Sequence, residues 1–270
     1  MVSVVESATP SILAHPPRPQ MNAALAIVIM MMTGSLEIPI DHLEAAEFAA
    51  PRVDRIEVCD ELDAEGWSPG LERLREIVEA VSDHPVQVVS LIRPRCCPDF
   101  IVSSEGLNQA RIQIRESAEA GAHGVVIGFI DHSNHLDRNS TRELSDLARS
   151  LGLTVSLHRA FDFDDDPDSA IRIATECGVE RVLTSGAPGW QGATHPLESR
   201  LAEIRESVRL SARHGAAIGR PPVRIVACGG VRGSNASRFL EATPDLHASC
   251  RRGDLFQHDD LEDLVLTMSG

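Results

Sequence analysis

The run Thr154-Val155-Ser156-Leu157 is β-prone and ends in His158, Arg159 and Asp162, which puts an imidazole, a guanidinium and a carboxylate within five positions. An imidazole oriented by a nearby carboxylate can act as general acid or base near neutral pH, and Asp162 lies close enough in the following loop to orient a ring. The layout recurs. Residues 86–92 run into Arg93-Pro94-Arg95, 181–183 into Thr184-Ser185-Gly186, and 225–227 into Cys228-Gly229-Gly230. Arg93, Arg95 and Arg159 are forks suited to a carboxylate or phosphate. Ser185 offers a hydroxyl, and Gly229 and Gly230 offer backbone amides at a helix start. The plainer alternative is that each arginine pairs with an acid such as Asp99 or Asp162 and holds a loop in place.

Alternation at period two places Arg55, Glu57 and Cys59 on one strand face. Glu37 and Glu57 sit among apolar neighbours, where a carboxylate is costly unless paired, so one or both should meet an arginine. Glu37 and His158 are the candidate acid and base. For Glu57 a structural ion pair and a catalytic role weigh equally. Metal-ligand spacing is poor, with no H-x-H, H-E-x-x-H or cysteines two apart, although Cys59, Cys228, His158 and His247 could converge in space. Soft thiolates there would select Cu(I) or zinc over magnesium.

Short apolar runs predict strands near 36–40, 53–59, 86–92, 124–129, 153–158, 180–184, 223–228 and 245–249. Amphipathic segments predict helices near 41–50, 69–82, 104–120, 140–150, 167–177, 195–214, 234–242 and 258–267. Ser68-Pro69 and Asp166-Pro167 read as an N-cap before proline, Ser140 with Glu143 as a capping box, and Gly121, Gly152, Gly178 and Gly215 as C-terminal caps. Eight alternating strands and helices predict a single-domain (β/α)8 barrel, whose strand tips converge on one mouth. A doubly wound sheet is the rival, but no G-x-G-x-x-G follows the first strand, and no nicotinamide cofactor is expected.

Composition narrows the chemistry. A formal charge of −15, spread along the chain, argues against nucleic acid and anionic membrane surfaces and for a small ligand. The chain contains no lysine, which excludes a Schiff-base aldolase, a pyridoxal phosphate enzyme and a lysine general base. Six cysteines without a disulfide-framework spacing fit free thiols in a reducing cytoplasm. Residues 1–35 differ from the rest, with four prolines and then ten apolar residues at 23–32, half of the roughly 20 that span a bilayer. No A-x-A-like site follows, so the expectation is a disordered extension, or a start assigned too early with Met30, Met31 or Met32 as the true one. The barrel domain is then 36–270. The sequence leaves a homo-oligomer open.

Taken together, Leu36-Glu37-Ile38, Arg55-Ile56-Glu57-Val58-Cys59, Ile92-Arg93-Pro94-Arg95 with Asp99-Phe100, His158-Arg159-Ala160-Phe161-Asp162 and Arg181-Val182-Leu183-Thr184-Ser185-Gly186 resemble the CutC copper homeostasis family over about residues 36–250. The resemblance implies a cytoplasmic TIM-barrel protein tied to copper handling, with polar signature residues at one end of the barrel. Copper enters only through it, with Cys59 as the matching thiol and Cys96, Cys97 or His247 as helpers. The chain also departs from the pattern. Pro39 replaces the family's cysteine after Leu-Glu-Ile, Cys96-Cys97-Pro98 replaces a glycine pair, Gly66-Trp67-Ser68-Pro69 replaces Gly-Gly-Leu-Thr-Pro, and His247-Ala248-Ser249 replaces His-Ser-Ser. The thiols change while the arginine, histidine and aspartate positions stay.

Two functions follow. The first is CutC-like copper binding, against which a mouth of fixed arginines would repel a bare cation. The second is an enzyme on a small phosphorylated or carboxylated metabolite, held by Arg93, Arg95 and Arg159, with His158 and Glu37 as acid and base and Asp162 orienting. A barrel kept only as an interaction scaffold is the least favoured.

Overall fold

The computed structural model describes residues 34–269. The extension expected at the N-terminus falls at 1–33, outside the described residues, and the first strand begins at Ser35, one residue before the expected boundary. Among the described residues eight parallel strands close into a barrel: β1 (Ser35–Ile40), β2 (Arg55–Val58), β3 (Gln87–Leu91), β4 (Gly124–Ile127), β5 (Thr154–Leu157), β6 (Arg181–Thr184), β7 (Arg224–Ala227) and β8 (Asp245–His247). The ring shuts where β8 pairs with β1, Glu37 beside His247. One helix follows each strand: α1 (Leu43–Ala49), α2 (Leu71–Ala80), α3 (Ser104–Glu119), α4 (Arg138–Ser150), α5 (Pro167–Cys177), α6 (Leu197–Ala217), α7 (Gly233–Leu240) and α8 (His258–Ser269). This is the expected TIM barrel. No described helix is long and apolar enough to cross a membrane.

The period-two pattern explains which residues face where. Ile38, Ile40, Ile56 and Val58 point outward into the main hydrophobic core beneath the helices. The alternate residues point inward, and there the barrel departs from an all-apolar filling. Val89, Leu91, Val126, Leu183 and Val226 form two small apolar clusters with Cys59 and Cys228. Below them lies a charged layer. Arg55 Nε donates to Glu37 at 2.7 Å and its NH1 to Gln87 at 2.5 Å. Arg224 Nε donates to Asp245 at 2.7 Å, and Ser35 Oγ donates to the same carboxylate at 2.6 Å. Arg181 donates to Ser35 Oγ at 3.0 Å and lies 3.8 Å from Glu37 and 3.7 Å from Asp245.

Local signals fare unevenly. Asp166 caps α5 by accepting from Ser169 N, with Pro167 in the first turn, and Gly178 (φ 74°) ends it. Ser68 caps nothing: Gly70 precedes α2, and Ser68 Oγ instead accepts from Arg93 N and donates to Gln113. Asp137, not Ser140, caps α4, taking Ser140 N at 2.7 Å and starting the helix two residues early. Gly215 is inside α6. A short hairpin of β9 (Arg251–Arg252) and β10 (Leu255–Phe256), turning at Gly253-Asp254, is an addition that the sequence reading lacks.

Removing one partner from a buried ion pair strands the other charge. Glu37→Gln should therefore lower unfolding free energy by about 3–5 kcal/mol, measured by urea denaturation against the parent.

Candidate functional site

A pocket of about 420 Å³ opens at the carboxyl ends of the strands. Its floor is on the β8–β1–β2 side, where the charged layer sets the geometry. Glu37, fully buried, accepts from Arg55 with one oxygen and lies 2.9 Å from His247 Nδ1 with the other. His247 Nε2 then faces Glu57 Oε2 at 3.8 Å. Among the described residues these three form a cluster whose donor atoms all lie within 4.8 Å.

Burial alone would raise the Glu37 pKa, but the His247 hydrogen bond and the Arg55 and Arg181 charges outweigh it and hold the carboxyl well below the usual range. Burial first, and then the Glu37 charge, pushes Glu57 up to about 7 against His247 and Arg55. Burial opposes a charge on His247, yet the Glu37 hydrogen bond and both carboxylates raise its pKa. Cys59 lies two residues along β2 and lines the same pocket. Burial, then Glu57, Asp41 and Glu37, pushes its thiol well up, and its Sγ donates to Glu57 O at 3.6 Å.

The facing wall comes from the β3, β5 and β7 tips. Arg93 is 6% exposed, and its guanidinium donates to the carbonyls of Glu65, Gly66 and Pro98. It packs over Trp67, Phe100 and Trp190 at 4.3, 4.8 and 5.1 Å, so both tryptophans of the chain serve one cation. Phe100 holds φ +64°, a rare conformation for a bulky residue, and its ring lies 4.8 Å from that of His158. His158 Nδ1 accepts from Ala160 N at 3.0 Å, so the neutral ring carries its proton on Nε2, which is buried without a partner. Burial, reinforced by the Arg93 charge, lowers the His158 pKa to about 3. A Cβ at Gly128 would lie 2.6 Å from this ring, so the end of β4 must be glycine to pass it.

The candidate residues divide accordingly. His158, Arg159, Arg93, Gly229, Gly230, Cys59 and His247 line the pocket together, while Glu37 lies behind its floor. Five placements correct the sequence reading. Arg95 turns to the surface and pairs with Glu61 at 2.8 Å and Asp60 at 3.2 Å, because acids in the β2 loop are closer than the mouth. Asp162 orients neither histidine. Its oxygens take Thr184 Oγ1, Ser185 N and Arg159 Nε, tying the β5 loop to the β6 tip. Ser185 Oγ is buried and donates to Ala187 O. Cys97 packs under α3 against Ser103, and Cys96 is exposed; neither lines the pocket.

Other contributors went unread. Arg200, near the start of α6, donates to Ser185 O, Cys228 O and Gly229 O and so joins the β6 and β7 tips. Arg251 closes the floor side, paired with Asp41 at 2.7 Å. Trp190 stands at the rim over Arg93 and Arg159. None has a sequence signal, since Trp190 lies in a loop, Arg200 on a helix and Arg251 in a two-residue strand too short to show a period.

The family model that matches this chain is that of the CutC family, over residues 34–252. A CutC family protein of Sinorhizobium medicae is 36% identical over 220 residues, covering 80% of each chain. A human protein named copper homeostasis protein cutC homolog is 32% identical over 219 residues, 80% of this chain and 73% of its own. The crystal structure of the CutC protein of Streptococcus agalactiae superposes with a TM-score of 0.70 at 21% identity, covering 80% of this chain and 99% of the other.

His158 makes stability depend on pH. Between its folded pKa of about 3 and the ordinary 6.5, the unfolded chain holds a proton that the folded one refuses, so stability falls as pH drops through that window. His158→Phe, which keeps an aromatic ring, should remove on the order of 1.4 kcal/mol per pH unit of that slope between pH 6 and 4.5, read from urea melts at each pH.

Proposed function

This chain belongs to the CutC family, and from that membership we propose that it serves copper homeostasis by holding a copper ion at the pocket floor, on His247 Nε2 and Glu57 with Cys59 beside them. The observation that carries this reading is the Glu37–His247–Glu57 line. A carboxylate on Nδ1 fixes the ring and its tautomer and frees Nε2 toward a second carboxylate, which is how metal-ligating histidines are supported. The donors fit the ion in type. Nitrogen and oxygen suit Cu(II), and one thiol adds affinity for Cu(I). With Pro39 where the family places a cysteine, the two-thiol set is incomplete on this strand pair. The raised thiol pKa of Cys59 is no obstacle, since a bound cation drives a ligand's proton off.

Binding must displace the proton that Glu57 carries below about 7 and that of His247, whose pKa the Glu37 hydrogen bond and both carboxylates raise, so copper affinity should fall as pH drops. One equivalent should bind to the parent. His247→Ala should weaken it by roughly 100-fold or more, and Cys59→Ser should weaken Cu(I) more than Cu(II). Competition titrations with both oxidation states check this; unchanged affinity in His247→Ala would sink the assignment.

Glu57 also favours a second reading, acid–base chemistry on a small anionic metabolite. A buried carboxyl with a pKa near 7 is poised to take and return a proton at working pH, and it faces a wall of donors across the pocket. In this reading Glu57 takes the role first expected of Glu37, which is locked in its ion pairs. Turnover by copper-free protein, lost in Glu57→Gln, would support it.

A further inference from the structure

The pocket wall opposite the floor holds donors that nothing in the protein satisfies. Among the described residues, Arg93 has no carboxylate within 4.0 Å, although its guanidinium is almost wholly buried, and its Nε is closed from water without an acceptor. His158 Nε2–H is likewise buried and unpartnered, and Phe100 packs against both side chains. Gly229 and Gly230, at φ 72° and 78°, line the pocket with backbone, and no described acceptor takes either amide. Arg159 is the better-satisfied neighbour: Asp162 takes its Nε, the Gly189 and Trp190 carbonyls take NH2, and rim residue Glu65 stands 4.0 Å from NH1.

A buried cation with no carboxylate bound to it and orphaned donors each cost stability. Both costs are relieved by a ligand that brings negative charge and several acceptor oxygens at once. We infer that the β3, β5 and β7 tips form an anion site for the phosphate group of a small phosphorylated metabolite, with Arg93 supplying charge and His158 and the Gly229 and Gly230 amides supplying donors.

Phosphate is favoured over carboxylate for two reasons. Its terminal oxygens can meet donors from three separate strand tips, whereas a planar carboxylate offers two oxygens in one plane. Amides after the seventh strand are also where barrels of this architecture commonly hold phosphate. The rest of the ligand would extend toward Glu57, past Leu62, Leu91 and Leu183, in a pocket large enough for a small metabolite. The inference deepens the second reading above and stands apart from the copper floor.

The test uses copper-free full-length protein, with calorimetry of inorganic phosphate and of malonate, a dicarboxylate, in a chloride buffer. Phosphate should bind saturably at one per chain and more tightly than malonate. His158→Phe should weaken it at least tenfold and Arg93→Met on the order of 100-fold, with melting curves confirming that each variant is folded. Arg95→Ala, at a side chain that pairs with Glu61 and Asp60 outside the pocket, should keep the parent's phosphate affinity. Absence of saturable phosphate binding would overturn the site. So would parent-like affinity in His158→Phe, which remains a test should Arg93→Met not fold. Malonate binding as tightly as phosphate would overturn the phosphate assignment. Loss of copper binding with phosphate intact, or the converse, tells the two sites apart.

Discussion

Glu37 is the constraint from which the pocket follows. A fully buried carboxylate must be surrounded by positive charge and donors, and β1 places this one where Arg55 from β2, Arg181 from β6 and His247 from β8 can all reach it. That demand occupies one oxygen of Glu37 with a guanidinium and the other with an imidazole. It also uses up the cations: Arg55 is hydrogen-bonded to Glu37 and Gln87 and acts on Glu57, one inward position further up β2, only through its charge, while His247 stands 3.8 Å from it. The unusual proton affinity of Glu57 thus comes first from its burial and then from the Glu37 charge beside it, with no guanidinium bound to its own carboxylate to offset them. The same layer replaces apolar filling inside the barrel, so stability and site geometry rest on one set of contacts.

The second organising feature is the Arg93 cage. A guanidinium buried without a carboxylate is held by three carbonyls and three aromatic faces, which stabilise the cation while leaving its net charge intact. A carboxylate partner would have cancelled that charge. Burial first and then this charge keep His158 neutral, with its Nε2 proton held as a donor. Acceptors on β1, β2 and β8 therefore face donors on β3, β5 and β7, and the pocket has two poles fixed by different packing problems.

This division explains what was legible in the sequence. The eight strands and most helices were, because inward and outward residues alternate in runs such as Arg55-Ile56-Glu57-Val58, and because strand tips converge in a barrel whatever their separation in sequence. The positions of Arg93, His158 and His247 at tips were legible for the same reason. Which partner each side chain chooses was not. Arg95 differs from Arg93 by two residues and shares its strand face, yet the strand has ended by then, and Asp60 and Glu61 in a neighbouring loop capture it. Asp162 sits four residues from His158, but the 3-10 turn at Arg159–Phe163 rotates it toward β6, where Thr184 and Ser185 hold it. Loop geometry decides both cases, and no periodicity reports it.

Pro39 shows what the end of a short barrel strand tolerates. Its side chain faces inward at the pocket, next to Glu57 in the β1–β2 register. A strand proline normally forfeits a ladder hydrogen bond, but β1 is only six residues long and its far end still gives Cys59 N an acceptor at Ile40 O, 2.8 Å away. The barrel therefore tolerates the residue. The donor chemistry matters more: with no thiol at position 39, a cation held at the floor as proposed would meet a set weighted to imidazole and carboxylate, with Cys59 adding soft-donor character. Because His247 and Glu57 are held by the charged layer rather than by that position, the geometry of the floor does not depend on residue 39, and under the copper reading proposed above its preference would move toward the harder ion.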